Sequence, residues 1–271
     1  MINIDNHNII EISYNNHKIT RVYGCDGRLV FGEEPQPPVY TDKLTYSISG
    51  NTYIMPCDSS STITLMDVMY DLMDNGYSMA DASAMTSVVI GGCVHTISAS
   101  TFTDSYSLTS ATIPNTVTSI GNQAFYDCTT LKSITIPRGV TTINQSVFGN
   151  NYELSGLTLS DRTTTIGTQA FYDCLSLIDI TIPSSVTSIG DSAFRANYWT
   201  EQPKRNMMLE MNENRVIKCL ATTPPTIGDT PFAIISGGSD IATYKIQVLE
   251  QSVDAYKAAW AQYASRIEAL V

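Results

Sequence analysis

Apolar residues along the middle of the chain hold a register that recurs every 23 positions. Phe102, Phe125, Phe148, Phe171 and Phe194 mark the step, and Met85, Leu108, Leu131, Leu154 and Leu177 open the units. Ile90, Ile113, Ile136, Leu159 and Ile182 follow within the units, then Ile97, Ile120, Ile143, Ile166 and Ile189. Self-similarity at such a period is the mark of stacked supersecondary units, none of which can bury its apolar side alone. The pattern predicts a mainly β solenoid of 23-residue units with short helices at its caps, in which like side chains stand over one another.

Within a unit, the Leu-x-x-Ile-x-Ile alternation suits a strand with one face turned inward. Pro114, Pro137 and Pro183 end that strand because proline brings no ladder donor. A second short extended segment is predicted from Val117 to Ile120 and at its equivalents. Gly121, Gly167 and Gly190 are then expected to permit the bend that drops Ala-Phe into the core. Two outward rows remain: Thr112, Thr135, Thr158 and Thr181 in one, Thr118, Thr141, Thr164 and Thr187 in the other. Threonine is a good exposed strand residue, so the rows are either plain solvent-facing positions or a hydroxyl platform for a glycan or protein partner.

The unit Ile-Pro-x-x-Val-Thr-x-Ile-Gly-x-x-Ala-Phe-x-x-Cys resembles the BspA-type leucine-rich repeat of gut and oral bacteria, over about residues 85–271. The tail fits the same pattern: Cys219 to Gly228 is similar to the final repeat of such proteins, and Ser252 to Trp260 to their terminal helix. The resemblance implies a leucine-rich-repeat fold and a surface protein engaged in adhesion. The chain lacks the asparagine ladder of the commoner leucine-rich repeats, so expectations from horseshoe-shaped receptors transfer poorly.

The flanks divide the rest. Residues 1–34 read as a β-meander arm of three strands separated by turn residues. Residues 35–42, with Pro35, Pro37 and Pro38, read as a linker. Residues 43–84 should cap the first coil, with Leu65, Val68, Met69, Leu72 and Met73 at helical spacing as core and Gly76 as the stop. Five repeats occupy 85–199. Phe194 and Phe232 stand 38 apart, which places an insertion at 200–214 with Asn212-Glu213-Asn214 as a hairpin turn. Insertions in such stacks map to one face, and Tyr198, Trp199, Arg205 and Met207 make this one a candidate binding loop or a cover for the sheet edge. Residues 215–271 form a degenerate last repeat and a helical lid, with Ser252 as N-cap and Val253, Tyr256, Ala259, Trp260 and Tyr263 as its apolar stripe.

Composition narrows the function. A net charge of −11 opposes nucleic acid and anionic membranes. No run approaches the roughly 20 apolar residues of a membrane span, and the first residues lack a secretory pattern. The six cysteines include no Cys-x-x-Cys pair, and metal binding is not expected. Cys128 and Cys174 are expected as buried free thiols, since two strand spacings of about 4.8 Å hold them apart. His7, His17 and His95 have no motif partners, and no nucleophile elbow or phosphate loop occurs. The chain is read as non-enzymatic and without cofactor.

About thirty residues of sheet cannot bury enough apolar surface to stand alone. The arm is therefore expected either to attach to a scaffold protein, through Ile19, Val22, Tyr23, Leu29 and Phe31, or to dock on the chain's own stack. Lys18 to Gly24 and Leu29 to Gly32 also resemble attachment segments of phage tail and head-fibre proteins. That resemblance, with the absence of a leader, implies a virion structural protein, a homo-oligomer displaying the stack to a host-surface protein or glycan. The alternative is a bacterial cell-surface or secreted adhesin.

Overall fold

The computed structural model describes residues 8–14, 17–23, 29–31, 43–55, 57, 60–198, 215–236, 239–240 and 244–270. It divides into two units, Met1–Thr41 and Asp42–Val271. The first is an antiparallel meander of Asn8–Tyr14, His17–Tyr23 and Leu29–Phe31, in chain order. Pairing runs in register from Asn8↔Tyr23 to Tyr14↔His17, and shifts between Val22 and Tyr23 against the third strand. Ile19, Val22 and Tyr23 lie on the second strand, Leu29 and Phe31 on the third. The side chains of these five lie outside the described residues, as does the whole linker at 35–42.

In the second unit, the strand Met85–Ile90 pairs antiparallel with Leu44–Ile48 and parallel with Ser110–Thr112. Leu44–Ile48 in turn forms a hairpin with Asn51–Met55, closed by Ser49 and Gly50 at φ 51 and 81. Two consecutive left-handed residues give a turn whose twist matches that of the strands it joins. Among the described residues the later pairings are parallel, apart from the short antiparallel pair of Ile234–Ser236 with Ser239–Asp240. Ser133↔Gly156 and Thr135↔Thr158 join one pair, and Asp179↔Val216 and Ile182↔Cys219 the pair that spans the insertion. Two-residue strands on the second side pair likewise, Thr142↔Thr165↔Ser188 and Ile143↔Ile166↔Ile189. Where that ladder breaks between Ile120 and Ile143, Asn144 Nδ2 donates to Ile120 O at 2.6 Å.

The core is a column. Ring centroids of Phe102, Phe125, Phe148, Phe171 and Phe194 follow one another at 5.1, 5.5, 5.4 and 5.1 Å, and Phe232 continues at 6.0 Å. All six rings are buried, as are Leu108, Leu131, Leu154 and Leu177. Trp260 and Tyr263 close the column, each 5.7 Å from Phe232. Trp260 Nε1 donates to Pro225 O at 2.9 Å and Tyr256 OH to Ala221 O at 3.1 Å, so the lid satisfies its polar tips as well as its rings.

A buried ladder of donors runs beside the rings. Cys128 Sγ–H points to Phe102 O at 3.2 Å, Asn151 Nδ2 to Phe125 O at 3.0 Å, and Cys174 Sγ–H to Phe148 O at 3.1 Å. Each thus covers a carbonyl of the preceding coil, which explains why one site accepts either Cys or Asn. After the insertion, Arg215 takes over. Its buried guanidinium donates from Nη1 to Phe194 O at 2.9 Å and from Nε to Leu177 O at 2.8 Å.

Four details differ from the sequence reading. Gly121, Gly167 and Gly190 do not supply the bend: the left-handed residues are Ser100, Gln123, Ser146, Gln169 and Ser192, with Asp104, Asp127, Asn150 and Asp173 at the next corner. Glycine is needed instead for approach, since a Cβ on Gly121 would stand 2.3 Å from Ala99 N and one on Gly190 2.5 Å from Thr168 N. In the cap, the helix Leu65–Asp74 buries Val68 and Leu72 but leaves Met73 53% exposed, so that methionine is not core. Its start is a capping box in which Thr64 and Asp67 satisfy each other's backbone N–H, and Gly76 at φ 84 ends it as expected. Finally, Ser252 precedes the helix Val253–Ala259 but its buried hydroxyl makes no cap bond, and Ala259 is exposed.

Candidate functional site

Strand register builds one outward face. Ile54 pairs with Thr45, Thr45 with Val89 and Val89 with Thr112; Thr135 pairs with Thr158; Thr181 pairs with Lys218, Lys218 with Gln247 and Gln247 with Glu268. The row begins apolar, with Ile54 59% and Val89 45% exposed, passes through four threonines and ends charged. Those end charges are internally paired: Lys218 Nζ lies 4.0 Å from Asp179 Oδ1 and Lys245 Nζ 3.2 Å from Glu268 Oε2. Hydrogen bonds from Gln247 and from Lys245 hold the Glu268 carboxyl below its usual range.

The two threonine rows are chemically distinct. In the second, Thr118 Oγ1 donates to His95 O at 3.3 Å, Thr164 to Thr141 O at 3.1 Å and Thr187 to Thr164 O at 3.3 Å. Those three hydroxyls each join their coil to the one before it, whereas Thr141, exposed in the same row, makes no such bond among the described residues. In the first row, Thr112, Thr135, Thr158 and Thr181 are exposed, and among the described residues none of their hydroxyls has a hydrogen-bond partner. The second row is engaged at three of its four positions, and the first row is left for solvent or ligand.

Beside the middle of the free row lies a groove of about 440 Å³, lined by Pro114, Pro137, Thr135, Thr158, Arg138 and Asp161 among others. Arg138 grips Asp161 in a two-pronged contact, Nη2 to Oδ2 at 2.6 Å and Nε to Oδ1 at 3.2 Å. Those hydrogen bonds keep the Asp161 carboxyl below its ordinary range, so the pair stays ionised. Arg138 N also donates to Asn115 Oδ1 at 3.2 Å. A second groove, of about 380 Å³, lies between Thr187 and the Pro224-Pro225 bend.

Sequence reasoning did not single out Arg138 or Asp161, although a basic and an acidic residue 23 apart at one repeat position is a legible signal. Trp199, Arg205 and Met207 lie outside the described residues; Tyr198 ends the strand Ala196–Tyr198, but its side chain is not described.

Cys57 and Cys93 form a disulfide with Cα atoms 6.3 Å apart, tying the cap to the first repeat. Cys128, Cys174 and Cys219 are free and buried, and burial drives their thiols far above the usual range, which leaves them unreactive. Among the described residues no group of His, Cys, Asp or Glu could hold a metal ion, and no helix is long and apolar enough to cross a membrane.

Residues 76–201 match the BspA type leucine rich repeat region, in six copies. Three solved structures are similar. A leucine-rich repeat protein from Bacteroides ovatus is 21% identical over 69% of this chain and 42% of its own, with a TM-score of 0.46. A T. pallidum leucine-rich repeat protein is 21% identical over 68% of this chain and 86% of its own, at 0.43. A leucine rich cell surface protein from Faecalibacterium prausnitzii is 18% identical over 76% of each chain, at 0.30. The chain thus spans less than half the length of the Bacteroides ovatus protein. No curated protein matches it.

Proposed function

We propose that this is a non-enzymatic surface adhesion protein, a solenoid of 23-residue units whose strand face meets a ligand on another surface. The observation that carries the reading is the difference between the threonine rows: three of the four hydroxyls of the second row bond to the preceding coil, whereas all four of Thr112, Thr135, Thr158 and Thr181 are exposed and, among the described residues, without a partner. The BspA type repeat supports it, since its resemblance implies a surface protein in adhesion. The Cys57–Cys93 bridge supports a compartment outside the reducing cytosol, where disulfides persist. These points favour a bacterial cell surface over a phage particle.

One observation favours display on a particle as a second reading. Met1–Thr41 is a unit of its own, and its described sheet, Asn8–Tyr14, His17–Tyr23 and Leu29–Phe31, is of a size that seldom stands without a neighbour. Beads coated with the purified protein should adhere to gut bacterial or epithelial surfaces, and a Thr135→Lys/Thr158→Lys double variant should not. Equal adhesion of the folded double variant overturns the proposal. Fractionation of producing cultures decides the location: signal confined to particles would displace the cell-surface reading.

A further inference from the structure

The groove beside the free threonine row has a composition that selects among ligand classes, and this selection rests on the adhesion reading above. Its volume of about 440 Å³ lies within the range of small-molecule and short-oligomer sites. Its only ionised side chains, Arg138 and Asp161, already hold each other in a two-pronged ion pair. A phosphate, sulfate or carboxylate ligand would have to displace Asp161 from the guanidinium, and a cationic ligand would have to displace Arg138. The chain's net charge of −11 further opposes polyanions. Charge therefore argues against both ionic classes.

What the groove offers is uncharged. The hydroxyls of Thr135 and Thr158 can each donate and accept. The paired ions keep capacity beyond their mutual bonds: a guanidinium has five N–H donors, of which two are directed at Asp161, and each carboxylate oxygen can accept again. Pro114 and Pro137 line the same groove. Mixed donors and acceptors beside apolar proline rings complement a ring that carries hydroxyls at its edge and C–H bonds on its face. The polar points also recur from coil to coil, at a spacing of about 4.8 Å for adjacent strands, which suits an extended chain of such rings.

We propose that this groove binds a neutral glycan, with Thr135 and Thr158 contacting ring hydroxyls, the Arg138–Asp161 pair acting as a fork for adjacent hydroxyls, and Pro114 and Pro137 supporting a ring face. Free hydroxyls in solution lose water to bind, and an open groove excludes little of it, so single-site affinity falls on the order of 0.1–1 mM.

The test is a ¹H–¹⁵N NMR titration of the full chain with cellohexaose, xylohexaose, maltohexaose and mannohexaose, beside a heparin hexasaccharide as the anionic arm. At least one neutral oligomer should shift the amides of Thr135, Arg138, Thr158 and Asp161. Thr158→Val and Arg138→Gln should each weaken it by about tenfold, whereas Thr164→Val, which removes a hydroxyl engaged with the preceding coil, should leave affinity within about twofold. Spectral dispersion checks that each variant is folded. The proposal is overturned if no neutral oligomer moves these amides at about 10 mM, if heparin moves them instead, or if Thr164→Val weakens binding as much as Thr158→Val. Bead adhesion that survives Thr158→Val and Arg138→Gln would remove the groove but leave the adhesion reading; loss of adhesion by the unaltered protein would remove that reading alone.

Discussion

Replacing Phe148 with alanine probes the column where it is best supported. The ring is fully buried and lies between Phe125 at 5.5 Å and Phe171 at 5.4 Å, nearly parallel to both. Truncating a buried phenylalanine costs about 3–5 kcal/mol in lost transfer energy and cavity, and two ring contacts are lost at about 0.5–1.5 kcal/mol each. Part of that overlaps, so about 5 kcal/mol is expected. The neighbours cannot collapse freely, because backbone bonds Phe125 N→Val147 O and Phe148 N→Ala170 O, both at 2.9 Å, fix the coils on either side. For a unit of this size, each kcal/mol corresponds to about 2–4 °C in melting temperature. Differential scanning calorimetry should therefore show Phe148→Ala melting about 10–20 °C lower, and Phe148→Leu, which keeps most of the volume, falling by much less. A loss below about 1.5 kcal/mol for the alanine variant would mean that the ring does not sit in a dry stack, and the reasoning would fail.

Further outcomes follow from other contacts. The Cys57–Cys93 bridge closes a loop of 36 residues, so Cys57→Ser or full reduction should lower stability by about 4 kcal/mol on the loop-entropy estimate; unchanged melting with and without dithiothreitol would refute this. Arg215→Met removes the donors that cover Phe194 O and Leu177 O, and urea unfolding should show a loss of about 2–4 kcal/mol; no loss would mean those carbonyls find other donors. Burial raises the Tyr46 and Tyr256 phenols and the Cys128, Cys174 and Cys219 thiols. The folded state then keeps protons that the unfolded chain releases, so this stability is complete below the unfolded values and lost as pH rises beyond about 8.5 for the thiols and about 10 for the phenols. A melting temperature flat from pH 7 to pH 10.5 would contradict that (both pH values being approximate bounds of the window).

The repeat was legible because each unit obeys the same local rule. Phe at 23-residue steps, Ile on the inward side of the strand and Thr on the outward side all follow from alternation and stacking. The glycines misled because two properties share one residue type. Freedom of φ and lack of a Cβ are both glycine's, and only the second is used at Gly121 and Gly190, while polar residues such as Gln123 and Asp127 take the left-handed corners.

What escaped the sequence breaks the period. The disulfide joins two partly buried cysteines across a cap that has no repeat, so spacing gives no hint of their approach. Arg215 is buried because it follows an insertion and replaces the Cys or Asn of regular coils, a role visible only once Phe194 O is seen to need a donor. The groove is intermediate: Arg138 and Asp161 share a repeat position, but Pro114 and Pro137 come to line it with them only when neighbouring coils are set side by side.

The account rests on the free threonine row running straight from coil to coil. Spin labels at Thr112→Cys and Lys218→Cys, in a Cys25→Ser background, stand four strand spacings apart, about 19 Å between backbones. Double electron–electron resonance should give one narrow distance population near that value plus the label linkers. A broad distribution, or a mean beyond about 35 Å, would contradict a single stacked face.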